Sequence, residues 1–132
     1  MPAPGPTGFA FNSTRTTYLA TELLIADTHW SRFRGLMAKD SARFRRGQGL
    51  WIVPCHGVHT FAMRFPIDVL YLDQARTVIH IENGLRPWRV AAIRARAASV
   101  LELPIGTVEE TQTSVGDQVD IYFQKPIPPK AA

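Results

Sequence analysis

Short runs of apolar residues, separated by turn-forming residues, recur along most of the chain. The run Thr16–Ala26 mixes apolar residues with threonine and glutamate, whereas Ile67–Leu72 is apolar at every position except Asp68. The first pattern predicts a strand, and the second predicts a central strand that is buried on both faces. The same criteria predict further strands at Leu50–Val53, Thr77–Glu82, Ser99–Leu103 and Gln118–Phe123.

Helical patterns are confined to two short segments. Trp30, Phe33 and Met37 follow each other at three- and four-residue spacing, which predicts a short helix that begins after Asp27 or Thr28. A single helical turn or a loop is expected within Ile105–Ser114. The fold class is therefore predicted as mainly β: a single-domain antiparallel β-barrel or sandwich with one or two short helices.

Proline and glycine positions suggest the limits of the domain. Residues 1–12 are predicted to be a poorly ordered N-terminal segment, residues 13–124 a single β-rich domain, and residues 125–132 a C-terminal tail. Asp73–Arg76 is expected to be a hairpin turn, although it lacks the usual glycine or asparagine.

Composition and charge bear on where the protein is located and on whether it binds nucleic acid. The chain has 132 residues, one cysteine and a net charge of +4. It has no apolar run long enough to cross a membrane and no recognisable signal peptide. A single cysteine fits a reducing compartment. We therefore expect a cytoplasmic protein. Because the positive surplus is small, a solvated surface is favoured over a nucleic-acid footprint.

Polar residues within the apolar stretch 54–73 are the leading candidates for a binding site. Asp68 needs a partner in such surroundings, and a backbone N–H, Arg64 or Arg34 could supply one. If the Arg64–Asp68 pair is structural, it closes the bend around Pro66. If it is functional, Arg64 binds an anionic group against an apolar wall. The predicted ligand-binding residues are Arg64, Asp68, Met63, Arg34 and His59.

Cys55, His56 and His59 form an incomplete metal-binding pattern. Zinc requires three or four ligands, and a further ligand could come from Asp68, Asp73 or His80 only if the fold brings it near. The alternative is a half-buried cysteine beside two hydrogen-bonded histidines. A Cys/His nucleophile is also conceivable, but no elbow motif or oxyanion loop accompanies it. No catalytic residue and no cofactor are assigned.

Four arginines within 86–96 suggest a second kind of surface. Arg86, Arg89, Arg94 and Arg96 accompany Trp88 without an acidic residue. On a strand, Arg94 and Arg96 would share a face while Ile93 packs inward. Such a surface could bind an acidic protein or a nucleic acid, with strong dependence on salt.

Four ordered segments together resemble one known family. They are Arg34-Gly35-Leu36-Met37, Met63 with Pro66-Ile67-Asp68-Val69, Val100-Leu101-Glu102-Leu103-Pro104 with Gly106, and Gly116-Asp117-Gln118-Val119. This pattern resembles the prokaryotic domain-of-unknown-function family number 192, over about Thr16–Phe123. The resemblance implies a small β-rich fold without an established activity. The chain departs from the family pattern at Arg64-Phe65, where many members have a Lys-Asn-Thr-like run. Many members are also exported behind a signal peptide, and none is recognised in this sequence.

The sequence therefore favours a non-enzymatic module that binds a small anionic ligand. The alternatives are a metal- or Cys/His-dependent hydrolase and an interaction module for an acidic protein or nucleic-acid partner.

Overall fold

The computed structural model describes residues 8–26, 44–53, 65–86 and 93–123. These residues are mainly β, as predicted. The elements are β1 (Gly8–Asn12), β2 (Thr17–Ala26), β3 (Gln48–Ile52), β4 (Ile67–Leu72), β5 (Val78–Leu85), β6 (Ser99–Pro104), α1 (Thr107–Thr111) and β7 (Val119–Phe123). The helix predicted after Asp27 lies outside the described residues. Among those described, no helix is long and apolar enough to cross a membrane.

The seven strands form one sheet in the order β5-β4-β6-β3-β2-β1-β7, curled into a half-barrel. Its two edge strands come together at one end, where Thr77 and Gln118 form an antiparallel bridge. Backbone hydrogen bonds continue this contact, since Val78 N–H donates to the Asp117 carbonyl over 2.9 Å and Gly116 N–H donates to the Val78 carbonyl over 2.8 Å. The contact joins the β4–β5 hairpin to the entry of β7.

One strand pair departs from the predicted antiparallel arrangement. β2 and β3 are parallel, with Leu24 opposite Leu50, whereas the other paired strands of the sheet are antiparallel. A parallel pair needs a connection of about a dozen residues or more, and residues 27–47 provide that length. The prediction of a wholly antiparallel sheet was therefore wrong at this pair.

Two apolar clusters cover the two faces of the sheet. The inner cluster takes residues from all seven strands and from α1, including Ala10, Leu23, Trp51, Leu70, Val78, Leu101, Val108 and Val119. Because every strand contributes, this cluster fills the concave side. The outer cluster lies mainly on β3, β4 and β6 and includes Phe44, Leu50, Phe65, Val69, Tyr71 and Val100. Burial of β4 at all six positions confirms the prediction of a central strand.

The first strand lies where the sequence predicted a poorly ordered segment. Residues Gly8–Asn12 pair with β2 on one side and β7 on the other, and they alternate between buried and half-buried positions. Gly8 allows the close approach of β7, because a Cβ atom there would lie 2.1 Å from the Tyr122 carbonyl oxygen. Because β1 has only five residues and follows a Pro/Gly-rich stretch, its sequence gives only a weak indication of a strand. The strand forms through its pairing with β2 and β7.

The β4–β5 turn forms without a glycine or asparagine. Asp73 Oδ1 accepts hydrogen bonds from the backbone N–H groups of Ala75 and Thr77, each over 2.9 Å. Arg76 takes the left-handed conformation that the turn requires, with φ 63°. The aspartate carboxylate thus fixes the turn, as Asx turns do elsewhere.

An irregularity in β5 changes the predicted assignment of faces. In a regular strand over Thr77–Glu82, alternation would place Ile79 and Ile81 on one face, but Ile79 packs against the outer cluster and Ile81 against the inner one. The register with β4 shifts between the Tyr71–His80 and Leu72–Val78 pairs, which adds a residue to β5. A β-bulge of this kind reverses the alternation of side chains beyond it.

Candidate ligand-binding site

Most of the residues predicted to bind a ligand lie outside the described residues. These are Arg34, His59, Met63 and Arg64, together with the weak metal candidates Cys55 and His56, so their roles stay predictions. Asp68 is the described member of the set. Within the described residues, no group of three or more His, Cys, Asp or Glu side chains could hold a metal ion.

Asp68 is completely buried on β4 and is held by two backbone donors. Its Oδ1 accepts the N–H of Gly84 in β5, and its Oδ2 accepts the N–H of Val108 in α1, each over 2.9 Å. The N-cap of α1 is Gly106, which has no side chain to cap the helix. Asp68 supplies that acceptor from a distant strand. A backbone N–H, one of the partners considered from the sequence, is therefore a partner of each oxygen, whereas Arg34 and Arg64 lie outside the described residues.

A second polar cluster stabilises the entry of β7. Asp117 is nearly buried, and its Oδ2 accepts hydrogen bonds from Asn12 Nδ2, the Ser114 N–H and Arg15 Nε at 2.9–3.1 Å. Burial by itself raises the pKa of Asp117, but these hydrogen bonds and the charge of Arg15 outweigh it and hold the pKa below the usual 3.8. Through the bond from the Ser114 N–H, the Asp117 carboxylate caps the turn that precedes β7.

An open cleft of about 770 Å³ lies beside the first half of β5. Its lining includes His80, Arg94 and Arg96, and the apolar side chains of Ile93 and Val115, which are 74% and 62% exposed. A second hollow of about 620 Å³ shares Arg96 with it. The cleft thus combines two guanidinium groups with an exposed apolar surface.

Arg94 lies next to His80 at the cleft, and His80 in turn contacts Glu82. Arg94 Nη2 lies 3.5 Å from His80 Nδ1, and His80 Nε2 lies 3.0 Å from Glu82 Oε1. Because a guanidinium can only donate, Nδ1 is the acceptor, and the proton of a neutral imidazole lies on Nε2, which donates to Glu82. The buried ring of Tyr71 packs edge-on against His80, with ring centroids 4.9 Å apart. The sheet therefore positions His80, and Arg94 lies beside it.

Arg94 and Arg96 lie in a turn and not on the strand considered from the sequence. The Ala97 N–H donates to the Arg94 carbonyl over 3.0 Å, and the Ala98 N–H donates to the Leu72 carbonyl over 2.8 Å. Ala97 is buried in the outer cluster, which anchors the turn to the sheet. Ile93 is exposed, so the expectation that it packs inward was wrong.

The charge of the cleft is predominantly positive. Asp73 is an acidic residue in its lining, and its Oδ1 already accepts two backbone hydrogen bonds in the β4–β5 turn. Sequence reasoning identified Arg94 and Arg96 as a cationic surface but did not place His80 beside them. The missing information was the docking of the turn that carries Arg94 and Arg96 at the end of β4, where the Ala98 N–H donates to the Leu72 carbonyl.

The fold and this site define a small β domain with a solvent-open cationic cleft. The model of the DUF192 family, which is described as uncharacterised, matches residues 10–121 of this chain. The chain therefore belongs to that family. This confirms the resemblance recognised in the sequence.

Relatives in archaea support the same assignment, and a bacterial protein shares the fold. The UPF0127 protein of Thermococcus sibiricus is 31% identical over 83% of this chain and 71% of its own length. The UPF0127 protein of Pyrococcus horikoshii is 33% identical over 74% of this chain and 85% of its own. A crystal structure of a protein of unknown function from Novosphingobium aromaticivorans shares the fold, with a TM-score of 0.64, 18% identity, and coverage of 91% of this chain and 89% of that one.

Proposed function

We propose that this protein binds a small ligand that carries an anionic group and an apolar portion, in the cleft beside β5. The observation that carries the proposal is the combination of Arg94 and Arg96 with Ile93 and Val115 around one cleft. Binding of such a ligand needs no catalytic group. The sequence-based candidates Arg34, His59, Met63 and Arg64 stay predictions, and the proposal does not depend on them.

The guanidinium groups support recognition of a carboxylate or a phosphate. Arginine presents several N–H donors in a plane, which suits the paired oxygens of such anions. The exposed guanidinium of Arg94 lies 3.5 Å from the imidazole of His80, and the His80 ring packs against Tyr71.

The size and the apolar wall of the cleft support a ligand larger than an inorganic ion. Small-molecule sites have volumes of about 300–1,000 Å³. The cleft has about 770 Å³, and the exposed side chains of Ile93 and Val115 stand beside its cations. An apolar chain attached to the anionic group would bury those two side chains.

The test uses octanoate as the probe and compares it with acetate. Titration followed by NMR should show saturable shifts at His80, Arg94 and Arg96, and octanoate should bind more tightly because only it covers the apolar wall. Arg96→Gln should weaken octanoate binding roughly tenfold, the size expected for a charge-assisted hydrogen bond. Arg45→Gln is the matched control, because it makes the same charge change at an exposed residue outside the cleft.

Three results would argue against the proposal. Equal affinities for acetate and octanoate would exclude a role for the apolar wall. Equal effects of Arg96→Gln and Arg45→Gln would indicate general charge attraction. Binding of polyglutamate with steep salt dependence, without octanoate binding, would favour an interaction module for acidic partners instead.

A further inference from the structure

The two ring nitrogens of His80 have different neighbours. Nδ1 lies 3.5 Å from Nη2 of Arg94, which lines the cleft. Nε2 lies 3.0 Å from Oε1 of Glu82, which is not among the described residues of that lining. The His80 side chain is 25% exposed, so it can exchange protons with the solvent. Nδ1 is therefore the nitrogen on the side of the cleft.

A proton added to His80 changes the cleft side of the ring. In the neutral ring Nε2 carries the proton and donates to Glu82, which leaves Nδ1 as an acceptor. The second proton therefore binds at Nδ1 and converts the acceptor beside Arg94 into a charged donor. Nε2 donates to Glu82 in both states. Protonation thus acts on the nitrogen at the cleft and keeps the contact of the ring with β5.

The change at Nδ1 favours an anion in two ways. A neutral Nδ1 presents a lone pair to an anionic oxygen, whereas a protonated Nδ1 donates a charge-assisted hydrogen bond to it. A protonated Nδ1 also no longer accepts from Arg94, since both groups are then donors, and Nη2 becomes available to the anion.

The charged groups around His80 leave its imidazole as the part of this site that responds to pH near neutrality. The cleft lining holds three other charged residues among those described, and two titratable residues contact the ring from β5 and β4. These five are Asp73, Arg94 and Arg96, and then Glu82 and Tyr71. Histidine is the side chain whose charge normally changes between about pH 5 and pH 8.

We infer that protonation of His80 at Nδ1 strengthens the binding of an anionic ligand in the cleft, so that the affinity rises as the pH falls from about 8 to about 6. This inference rests on the proposed function, because it concerns the same cleft and the same class of ligand. Linkage requires the reciprocal effect, so binding of the anion draws protons from the solution onto the ring.

The probe is octanoate, whose carboxylate stays almost fully ionised above about pH 6. Isothermal titration calorimetry of the full chain should give an affinity about fivefold higher at about pH 6 than at about pH 8. That factor corresponds to the attraction between two unit charges about 4 Å apart in water. Titrations at about pH 7 in two buffers of different ionisation enthalpy should show uptake of protons on binding.

Two variants of His80 separate its charge from its shape. His80→Gln cannot gain a charge, so its affinity for octanoate should be the same at both pH values. His80→Lys is charged at both, so at about pH 8 it should bind roughly as tightly as the parent chain does at about pH 6. Arg45→Gln is the matched control, because it removes one positive charge at an exposed residue outside the cleft. It should keep the fivefold dependence on pH.

The outcomes distinguish this inference from the proposed function. Octanoate binding with equal affinity at both pH values would overturn the inference alone, as would a pH dependence that persists in His80→Gln. Absence of octanoate binding at both pH values would overturn the proposed function and the inference with it. Absence of proton uptake in the unmodified chain would overturn the inference even if His80→Gln does not fold.

Discussion

The carboxylate of Asp68 in β4 accepts a hydrogen bond from the backbone N–H of Val108 in α1, over 2.9 Å between Oδ2 and N. The two residues are 40 positions apart in the chain. Helix α1 has five residues and begins after a glycine. Isolated helices of this length are unstable in water, so a buried acceptor at the first turn helps to fix where this helix forms.

Asp68→Asn should destabilise the protein by about 2–3 kcal/mol. Asparagine offers one acceptor oxygen for two buried N–H donors and directs its NH₂ group at one of them. That donor is left without an acceptor, which costs about 1–3 kcal/mol. Urea unfolding measures the loss. Asp73→Asn is the control, because Asp73 also accepts two backbone N–H groups but in a partly exposed turn. Its cost should be about 1 kcal/mol or less. Equal losses for the two variants would contradict a special role for burial at Asp68.

Asp117 should make stability depend on pH in the acid range. Its folded pKa is below 3.8 because of its hydrogen bonds and Arg15, despite burial. A carboxyl group whose pKa is lower in the folded state stabilises the fold fully when the pH is above the pKa of the unfolded state, about 3.9 for aspartate. This contribution is lost as the pH falls through the pKa of the folded state. The stability difference between the parent chain and Asp117→Asn should thus be largest above about pH 5 and shrink below about pH 4.

Urea unfolding at a series of pH values checks this expectation, with Arg15→Gln as a comparison. The Arg15 side chain is 40% exposed, so its ion pair with Asp117 should contribute less than about 1 kcal/mol. Arg15→Gln should therefore cause a smaller loss than Asp117→Asn. A difference for Asp117→Asn that grows as the pH falls would show that the sign of the shift is wrong.

Arg76 should stabilise the contact between the β4–β5 turn and β7. Its carbonyl accepts the Val119 N–H over 3.0 Å, its Nη1 donates to the Ile121 carbonyl over 3.3 Å, and its guanidinium lies 5.1 Å from the ring centroid of Trp51. Arg76→Ala keeps the backbone bond but loses both side-chain contacts, so we expect a loss of about 1–2 kcal/mol.

The left-handed backbone of Arg76 provides an internal comparison. Arg76→Gly loses the same side-chain contacts but relieves the strain of a positive φ, so it should be about 1 kcal/mol more stable than Arg76→Ala. Thermal or urea unfolding of the two variants would show the order. Greater stability of Arg76→Ala would mean that the turn does not hold this conformation in solution.

Local sequence patterns predicted six of the strands because each carries its own signal. The apolar run Ile67–Leu72 is buried at every position, and Thr107–Thr111 lies within the segment expected to form a helical turn or a loop. The turn function of Asp117 was also predictable, since its partner Ser114 is three residues away. In each case the residues that determine the structure are close together in the chain.

The sequence by itself determined the family, the mainly β class and most strand positions, because side-chain periodicity and turn chemistry act over a few residues. Only the tertiary structure decided the inclusion of β1 in the sheet, the parallel pairing of β2 with β3, and the partners of Asp68. It also decided that His80, Arg94 and Val115 line one cleft. These features depend on contacts between residues that are far apart in sequence, and the register that creates them is set by packing of the whole sheet.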